Sequence, residues 1–502
     1  MASFFIGFST TNFPWYASPM HRLKEFLFNN NSIRQTVLKN TFWIGASTTV
    51  IKIARAVIII YAARIIGTQS YGAFTYAMGL AAIFAVVSDI GLSTILVREL
   101  SKNTERIRQY FSTGFILKLS LVGIMIGLIL GLGPLLSKFS TATVLMPIIA
   151  LSIAFDSLRS FLYSVPRSQN RMQHEALINI ATEIFCIALI LIVFLHSPSA
   201  HSLAYALMIG NALGFGIACV SVKTYIIGAQ RFFTKNLVVP LLRLTAPFAI
   251  LSIFGIFMTN IDSVIIGMFG NEHMLGLYGA AQRPFNILYV IPGFLSASLL
   301  PIMSRFIQEG NISTVNRIAR AASTASITIA LPLVVGGILV ATPLISVIFG
   351  SAYIDAVPTF QILLFTLLFV FPGTIFAEVL LAQNKQRIFI FTGILGAVLN
   401  VGLNFLLIPL YGIVGSAIAT VIAQAVVNIC FYIEMKKTYD IPLTPGLLKS
   451  VLATLGMALC TYGLLKLIWP LVIILLLSGL TYIGLLLLMK DRTLFEIRQS
   501  FR

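Results

Sequence analysis

The sequence predicts an all-α polytopic membrane protein with about 14 transmembrane helices. Hydrophobic residues make up 58% of its 502 residues and charged residues only 10%, whereas a soluble globular domain carries about 25% charged residues. The apolar residues form runs of about 20, which is long enough to cross a hydrocarbon core of ~30 Å. The segments between the runs are short and leave no room for a soluble domain between spans.

The apolar windows are numbered as spans 1 to 14 in chain order. Each is long enough to form a spanning helix. They occupy residues 40–66, 71–93, 113–135, 142–165, 176–196, 202–226, 244–268, 279–303, 319–347, 357–381, 388–408, 412–434, 446–466 and 469–489. Residues 1–39 are predicted to form a cytoplasmic arm and residues 490–502 a cytoplasmic tail.

The distribution of positive charge predicts the orientation. Cations concentrate in every second connection, such as Arg98 to Arg108, and in both terminal segments, whereas the alternating connections hold few, Lys138 and Lys466 among them. By the positive-inside rule, both termini are cytoplasmic in a cell inner (plasma) membrane and the number of spans is even. The net charge of +18 is therefore attributed to contact with anionic membrane lipids, and no nucleic-acid partner is expected.

A weak internal repeat divides the first twelve spans into two halves. Residues Arg64–Gly67 and Tyr71–Ala73 resemble residues Ile265–Gly267 and Tyr278–Ala280. Chance similarity between apolar segments would give the same pattern. If the repeat is real, two related six-helix bundles place a binding site at their interface. The predicted units are an N-lobe at 40–227 (spans 1–6), a C-lobe at 244–435 (spans 7–12) and spans 13 and 14 at 446–489.

Lys52 and Arg55 are unusual because they lie near the middle of span 1. A charge at the bilayer centre costs at least ~2.5–3.5 kcal/mol. Residues three apart share a helix face, so both side chains can point into one space. We expect a wet cavity with a negatively charged occupant. The alternatives are that both side chains extend to the membrane surface or pair with acids on neighbouring helices.

Spans 3 and 4 also carry charges inside the predicted membrane region. Asp156 and Arg159 are one turn apart on span 4, which predicts an intrahelical ion pair, and Arg159 is also a candidate substrate contact. Lys118 lies near the cytoplasmic end of span 3, and its long side chain is predicted to extend to the membrane surface.

Four more ionisable residues are candidates for pairing or for ion coupling. Asp89 on span 2 and Glu183 on span 5 are possible counter-ions of the cations or members of a proton path. Asp262 on span 7 and Arg283 at the start of span 8 are predicted to form a pair or gate. Asp156 shares the counter-ion or coupling role with these acids.

Asn400 and Asn404 are four residues apart on span 11 and therefore share a helix face. An amide in a membrane helix usually forms a hydrogen bond with a neighbouring helix. We therefore expect these two side chains to join span 11 to another span.

Several enzyme classes are not indicated. The chain has no G-x-x-x-x-G-K-[ST] phosphate loop for ATP hydrolysis and no H-E-x-x-H or Cys/His metal spacing. Its four cysteines lie singly in apolar runs, which is typical of core packing rather than disulfides. A membrane glycosyltransferase would need a sizeable outer loop for catalysis. We expect no enzyme activity, no cofactor and no metal.

Short motifs in spans 7, 8, 11 and 12 resemble a known family. They are Tyr278-Gly279-Ala280-Ala281-Gln282-Arg283, Ile291-Pro292-Gly293 with Pro301, Asn400 to Asn404, and Ile408-Pro409-Leu410-Tyr411-Gly412 continuing to Ala419. Together with Leu38-Lys39-Asn40 and the Gly67 to Gly72 region, they resemble the Wzx-type polysaccharide flippases of the multidrug/oligosaccharidyl-lipid/polysaccharide (MOP) exporter superfamily. The similarity extends over about residues 35 to 490.

The resemblance implies two six-helix lobes in a V around a central cavity, with two further helices. It also implies that the protein moves an undecaprenyl-diphosphate-linked oligosaccharide from the inner to the outer leaflet by alternating access. Lys52 and Arg55 would bind the anionic headgroup, followed by Arg283 and Arg159. Expected partners are this lipid, a coupling ion (Na⁺ or H⁺) and polysaccharide polymerase machinery. The alternative is a sodium- or proton-coupled multidrug exporter of the same superfamily.

Overall fold

The computed structural model describes residues 33–102, 104–439 and 447–489. Within these three ranges the chain forms α-helices and short 3-10 turns, and no β-strand occurs there. Most of the predicted cytoplasmic arm and all of the predicted tail lie outside the described residues. The all-α fold class is confirmed.

The spans keep the numbers given above. The 3-10 segments are Val86–Ser88, Thr104–Arg106, Ala229–Phe232, Lys235–Leu237 and Ser351–Ala356. The α-helices are Ile33–Ala85, Leu92–Lys102, Ile107–Leu136, Ser140–Leu162, Ser164–Ser168, Met172–Phe194, Ala200–Ser221, Lys223–Ile226, Val238–Phe269, Glu272–Leu288, Val290–Gln308, Ile312–Phe349, Val357–Leu364, Thr366–Ala382, Gln386–Lys436, Leu447–Lys466 and Leu471–Leu488.

The described helices account for the predicted number of spans. Ten segments are long and apolar enough to cross a membrane. Two of them contain two spans each, because the chain breaks at Gly67 (φ +79°) and Gly412 (φ +57°), in a region of backbone conformation that glycine adopts readily. Residues 238–308 supply spans 7 and 8. The prediction of about 14 spans, in two six-helix lobes with two further helices, is confirmed.

Spans 2 and 8 are each interrupted, which the hydropathy pattern does not reveal. Span 2 passes through a 3-10 turn after Ala85 and resumes as a helix at Leu92, after Gly91 with φ +86°. Span 8 is interrupted at Tyr289. Backbone groups freed inside a bilayer need other partners, so each break requires local polar contacts.

The connections between spans lie at two ends of the bundle. The basic end carries the connections after spans 2, 4, 6, 8, 10 and 12. The opposite end carries Gly67, residues 137–139, 195–199, 270–271, 350–356, Gly412 and residues 467–470.

The two lobes meet closely where span 2 crosses span 8, near the opposite end. A Cβ atom on Gly72 would lie 1.6 Å from the carbonyl oxygen of Glu272, and one on Gly276 would lie 2.0 Å from that of Thr68. Glycines permit such backbone contact between membrane helices. The two copies of the predicted repeat, around Gly72 and Tyr278, therefore pack against each other.

Two cations at the opposite end also join the lobes. Arg64 Nη1 donates to the carbonyl oxygen of Val347 at 2.7 Å, and Lys138 Nζ donates to that of Met268 at 2.6 Å. Both carbonyls lie in the last turn of a C-lobe helix, where they lack helical partners and where the helix dipole attracts a positive charge. These contacts stabilise the closed arrangement of this end.

Spans 13 and 14 pack against span 9 through hydroxyl groups. Tyr482 donates to the carbonyl oxygen of Thr328 at 2.5 Å, and the hydroxyls of Thr328 and Ser450 are 2.8 Å apart. Hydrogen bonds between helices replace the hydrophobic driving force that is absent in lipid. The C-terminal pair is thus attached to the C-lobe.

Candidate functional site

Span 1 has two exposed faces with opposite chemistry. Val50, Ile53 and Val57 form an exposed apolar stripe, as expected of a surface in contact with lipid. Lys52 and Arg55 lie about 140° and about 160° around the helix from Val57, at 100° per residue. Lys52 is exposed and Arg55 half-exposed, so both side chains lie on the side of span 1 that faces away from lipid.

Arg55 is paired with an acid on span 5. Its Nη2 lies 2.7 Å from Glu183 Oε2, and its Nε donates to both carboxylate oxygens at 3.1 and 3.3 Å. The Glu183 side chain is only 4% exposed, whereas that of Arg55 is 36% exposed. Arg55 Nη1 makes no hydrogen bond, and Lys52 no ion pair, with any residue that the structure describes. Lys52 and Nη1 therefore remain available to a ligand.

Lys118 supports the break in span 2. Its side chain is fully buried, donates to the carbonyl oxygen of Ser88 at 2.6 Å and lies 3.5 Å from Asp89 Oδ2. Asp89 in turn accepts from the backbone and hydroxyl of Ser93, at 3.3 and 2.6 Å, and caps the next helix. The prediction that Lys118 reaches the membrane surface is wrong, because the broken helix leaves a carbonyl group that needs a donor.

Asp156 and Arg159 form the predicted ion pair on span 4. The Arg159 side chain is only 8% exposed, and its Nε and Nη1 atoms are buried with no hydrogen-bond partner among the described residues. Asp156, by contrast, is 46% exposed and interacts electrostatically with Arg55 and Lys118. Arg159 thus belongs to the same charge network as Arg55 but is itself almost fully buried.

In the C-lobe, Asp262 is buried among uncharged donors. Tyr278 and Thr420 donate hydroxyl hydrogens to its Oδ2 at 2.6 and 3.0 Å, and Asn404 Nδ2 donates to its Oδ1 at 2.9 Å. No cation pairs with Asp262 among the described residues. The carboxylate joins spans 7, 8, 11 and 12.

The predicted pair between Asp262 and Arg283 is not formed. Arg283 Nε instead donates to the hydroxyl of Tyr71, 3.2 Å away in the N-lobe. The reason is that Tyr278, on the same helix as Arg283, already occupies the carboxylate. Arg283 contributes to the contact between the lobes.

Asn404 makes the predicted interhelical hydrogen bond, and Asn400 contacts Asn404 on the same helix. Asn404 Nδ2 is 2.8 Å from the carbonyl oxygen and 3.1 Å from the Oδ1 of Asn400, besides its bond to Asp262. Asn404 Oδ1 is buried and accepts no hydrogen bond from the part of the chain that the structure describes. Carboxylate, amide and hydroxyl oxygens suit a small hard cation, and Asp262 could alternatively carry a proton. No group of three or more His, Cys, Asp or Glu suited to a metal occurs in the described ranges.

A large apolar cavity lies between spans 8, 9 and 10 and spans 13 and 14. Its volume is about 620 Å³. Among its lining residues are Pro284, Leu333, Gly336, Phe360, Met457 and Tyr482. The Thr461 hydroxyl in its wall donates to Ser478 at 2.7 Å, so the polar atoms of the wall bind one another and leave an aliphatic surface.

Sequence reasoning missed three parts of this arrangement. Tyr278 and Thr420 are donors to Asp262, Lys118 holds the break in span 2, and spans 13 and 14 form one wall of the apolar cavity. The only available signal was the position of Tyr278 in the repeat. Contacts between spans leave no periodic pattern in the sequence, whether the partner is on the next span, as for Tyr278 and Lys118, or five spans away, as for Thr420.

Comparison with known proteins gives matches along most of the chain. Residues 37–307, more than half of the chain, match the family model described as polysaccharide biosynthesis protein, and residues 247–406 match the MatE model. The "Probable low-salt glycan biosynthesis flippase Agl15" of Haloferax volcanii is 24% identical over 375 residues, 73% of this chain and 77% of that protein.

Two further comparisons cover most of both chains. The "Capsular polysaccharide biosynthesis protein CapF" of Staphylococcus aureus is 22% identical over 409 residues, 80% of this chain and 100% of that protein. The solved structure titled "Lipid II flippase MurJ, inward closed conformation" superposes with a TM-score of 0.73 at 19% identity, covering 89% of this chain and 98% of that one. The latter likeness is one of fold.

Proposed function

Because the chain belongs to the polysaccharide biosynthesis protein family, we propose that it is a flippase for an undecaprenyl-diphosphate-linked oligosaccharide. It moves this lipid from the inner to the outer leaflet by alternating access. Its membership of the MOP superfamily, predicted from short motifs, is confirmed by the matches to both family models. The names of its relatives in glycan and capsule biosynthesis support the choice of cargo.

The observation that carries the proposal is the pair of cations on the interior face of span 1. Lys52 has no acidic partner among the described residues, and Arg55 Nη1 is free beside it. A cation inside a membrane helix is energetically costly, so one that is present usually has a function. A diphosphate offers oxygens that both donors can bind. Binding would offset the cost of placing the cations, and the cost of placing the phosphate charge, inside the membrane.

The apolar cavity beside spans 13 and 14 supports a lipid cargo. A polyprenyl tail has no polar atoms, so it needs a surface without unsatisfied donors or acceptors. The paired hydroxyls of Thr461 and Ser478 leave such a surface. The tail then lies in this cavity of the C-lobe while the headgroup lies beside Lys52 and Arg55 in the N-lobe.

The chain is a multi-pass membrane protein, and the basic end is assigned to the cytoplasm. The assignment rests on the positive-inside rule and places both termini on the cytoplasmic side of the cell inner membrane. The opposite end, closed by Gly72, Gly276, Arg64 and Lys138, then faces outward. A polysaccharide polymerase would receive the cargo there.

The first prediction is that purified protein in liposomes accelerates the transfer of an undecaprenyl-diphosphate-linked oligosaccharide between leaflets. A non-permeating lectin added outside measures the exposed fraction with time, and protein-free liposomes are the control. Movement of ethidium without movement of the oligosaccharide would instead identify a multidrug exporter. Turnover of a nucleotide-sugar donor would identify a glycosyltransferase.

Asp262 is proposed to bind the coupling ion, Na⁺ or H⁺. It is a buried carboxylate without a cationic partner among the described residues, and a free amide oxygen of Asn404 lies in the same cluster. Buried acids of this kind in membrane proteins mark ion pathways. A cation bound to the carboxylate would compete with the hydrogen bonds from Tyr278, Asn404 and Thr420. These side chains, on spans 8, 11 and 12, would therefore move.

The second prediction is that Asp262→Asn removes the response of transport to an ion gradient. The leaflet-transfer assay is run with an imposed Na⁺ gradient, an imposed H⁺ gradient or neither. The wild type should respond to one of them by roughly tenfold, as expected for ~1.4 kcal/mol of coupling, and the variant should not respond. Asp355→Asn, an exposed acid at the opposite end, is the control. An unchanged response in Asp262→Asn would rule out this site.

A further inference from the structure

Glu183, Asp89 and Asp156 are the carboxylates beside Arg55, Lys118 and Arg159 inside the N-lobe spans, and two of these three acids have no free oxygen. Both oxygens of Glu183 accept from Arg55, at 2.7 to 3.3 Å. The oxygens of Asp89 accept from Ser93, and Lys118 lies 3.5 Å from one of them. A ligand could bind either acid only by breaking these contacts.

Asp156 differs because one of its oxygens is free. Its Oδ1 accepts from Arg159, whereas its Oδ2 accepts no hydrogen bond from any residue that the structure describes. Val144 and Leu151 form an exposed apolar stripe on the same helix. Asp156 lies about 140° around the helix from Leu151, at 100° per residue. The half-exposed carboxylate therefore faces the interior of the lobe and not the lipid.

Packing alone does not account for this arrangement. Two nitrogens of Arg159 are buried without an acceptor, which is costly, and apolar residues of similar volume are often as stabilising as a buried ion pair. The pair uses only Oδ1 of Asp156, yet nearly half of the side chain is left exposed, within electrostatic reach of Arg55. Asp156 Oδ2 can therefore accept a hydrogen bond from a ligand.

We propose that Asp156 Oδ2 accepts a hydrogen bond from the sugar attached directly to the diphosphate, with Arg159 as the positioning residue. This inference rests on the proposed function, in which Lys52 and Arg55 bind the diphosphate. The free groups have the chemistry of such a headgroup: Lys52 and Arg55 Nη1 are donors for phosphate oxygens, and Asp156 Oδ2 is an acceptor for a sugar hydroxyl or amide N–H.

The charge of Asp156 also defines the class of sugar. Hydrogen bonds to an ionised carboxylate are stronger than those between neutral groups. A uronic acid in the same place would bring a second carboxylate toward Asp156, and like charges disfavour each other at close range. The lipid-proximal sugar is therefore a neutral, N-acylated or amino sugar, and acidic sugars are selected against at this position.

The test compares three soluble probes on the purified full-length chain. They are farnesyl diphosphate, farnesyl-diphosphoglucose and farnesyl-diphosphoglucuronic acid, with Kd measured by titration calorimetry. The wild type should bind the glucose form about tenfold more tightly than the glucuronic acid form, which corresponds to ~1.4 kcal/mol. In Asp156→Asn this preference should fall to about twofold or less; the ratio of the two Kd values is the readout, because it cancels any change in the affinity for the shared diphosphate.

Glu309→Gln is the matched control. Glu309 is also paired with a nearby arginine, Arg305, and its side chain is 45% exposed, but it lies at the basic end of span 8 in the other lobe. Equal affinity of the wild type for the two sugar probes would overturn the inference without needing any variant. An equally strong preference in Asp156→Asn would overturn it as well. If none of the three probes binds, it is the proposed function that fails.

Discussion

Gly72→Val is expected to abolish transport by preventing the opposite end of the bundle from closing. Even a Cβ atom at this position would lie 1.6 Å from the carbonyl oxygen of Glu272, which is backbone and cannot move independently. A valine therefore forces spans 2 and 8 apart, since no rotamer relieves the overlap. An alternating-access protein that cannot close one end cannot complete its cycle.

Closure can be measured by a disulfide across the crossing. The Thr68 hydroxyl lies 2.8 Å from His273 Nδ1, so Thr68→Cys with His273→Cys should cross-link when the end is closed, in a background without the native cysteines. Gly72→Val should abolish this cross-link. Gly127→Val is the control, because no atom of the described residues lies within 4 Å of a Cβ at Gly127. Cross-linking of the Gly72 variant at the parental rate would contradict the closed arrangement.

Lys52→Ala and Arg55→Ala are expected to fail for different reasons. Lys52 has no acidic partner in the described part of the chain, so its loss should reduce transport at least tenfold and leave stability unchanged, as expected for a lost charged hydrogen bond of ~1.5–3 kcal/mol. Arg55 neutralises Glu183, which is almost fully buried. Arg55→Ala strands that acid and should destabilise the protein by about 3–5 kcal/mol.

Size-exclusion profiles and thermal unfolding separate the two effects from transport. Lys52→Arg should retain partial transport because the charge remains, although a guanidinium and an ammonium are not equivalent. Arg55→Ala combined with Glu183→Leu should recover stability but not transport. Lys223→Ala, an exposed lysine at the basic end, is the control. Full transport by Lys52→Ala would refute its role in binding the cargo, and a stable Arg55→Ala would refute the structural role of the pair.

The fold could be predicted from sequence because membrane helices follow a simple rule. Every backbone group in lipid must be satisfied within the helix, so long apolar runs fix the spans, and the alternation of cations predicts their orientation. Lys52, Arg55 and the pair of Asp156 with Arg159 were recognisable because charges in apolar runs are conspicuous. Helical spacing then placed each pair on one face.

The partners of these charges were decided only by tertiary structure. Glu183 lies 128 residues from Arg55 in the chain, and Asn404 lies 142 residues from Asp262. Periodicity reports which face of a helix is polar and not which other helix that face meets. Tyr278 is an apolar-run residue in the sequence, yet its hydroxyl takes the position at Asp262 that Arg283 was expected to fill.

The all-helical class, the number of spans and the presence of cations inside the membrane could all be read from the residues alone. Which of those cations remain available to a ligand depends on how the helices pack. Lys118 and Arg159 form buried contacts within the protein. Lys52 and part of Arg55 stay exposed on the interior face of span 1. The physical reason is that hydropathy depends on local composition, while the availability of a charge depends on which distant acid or carbonyl packing brings beside it.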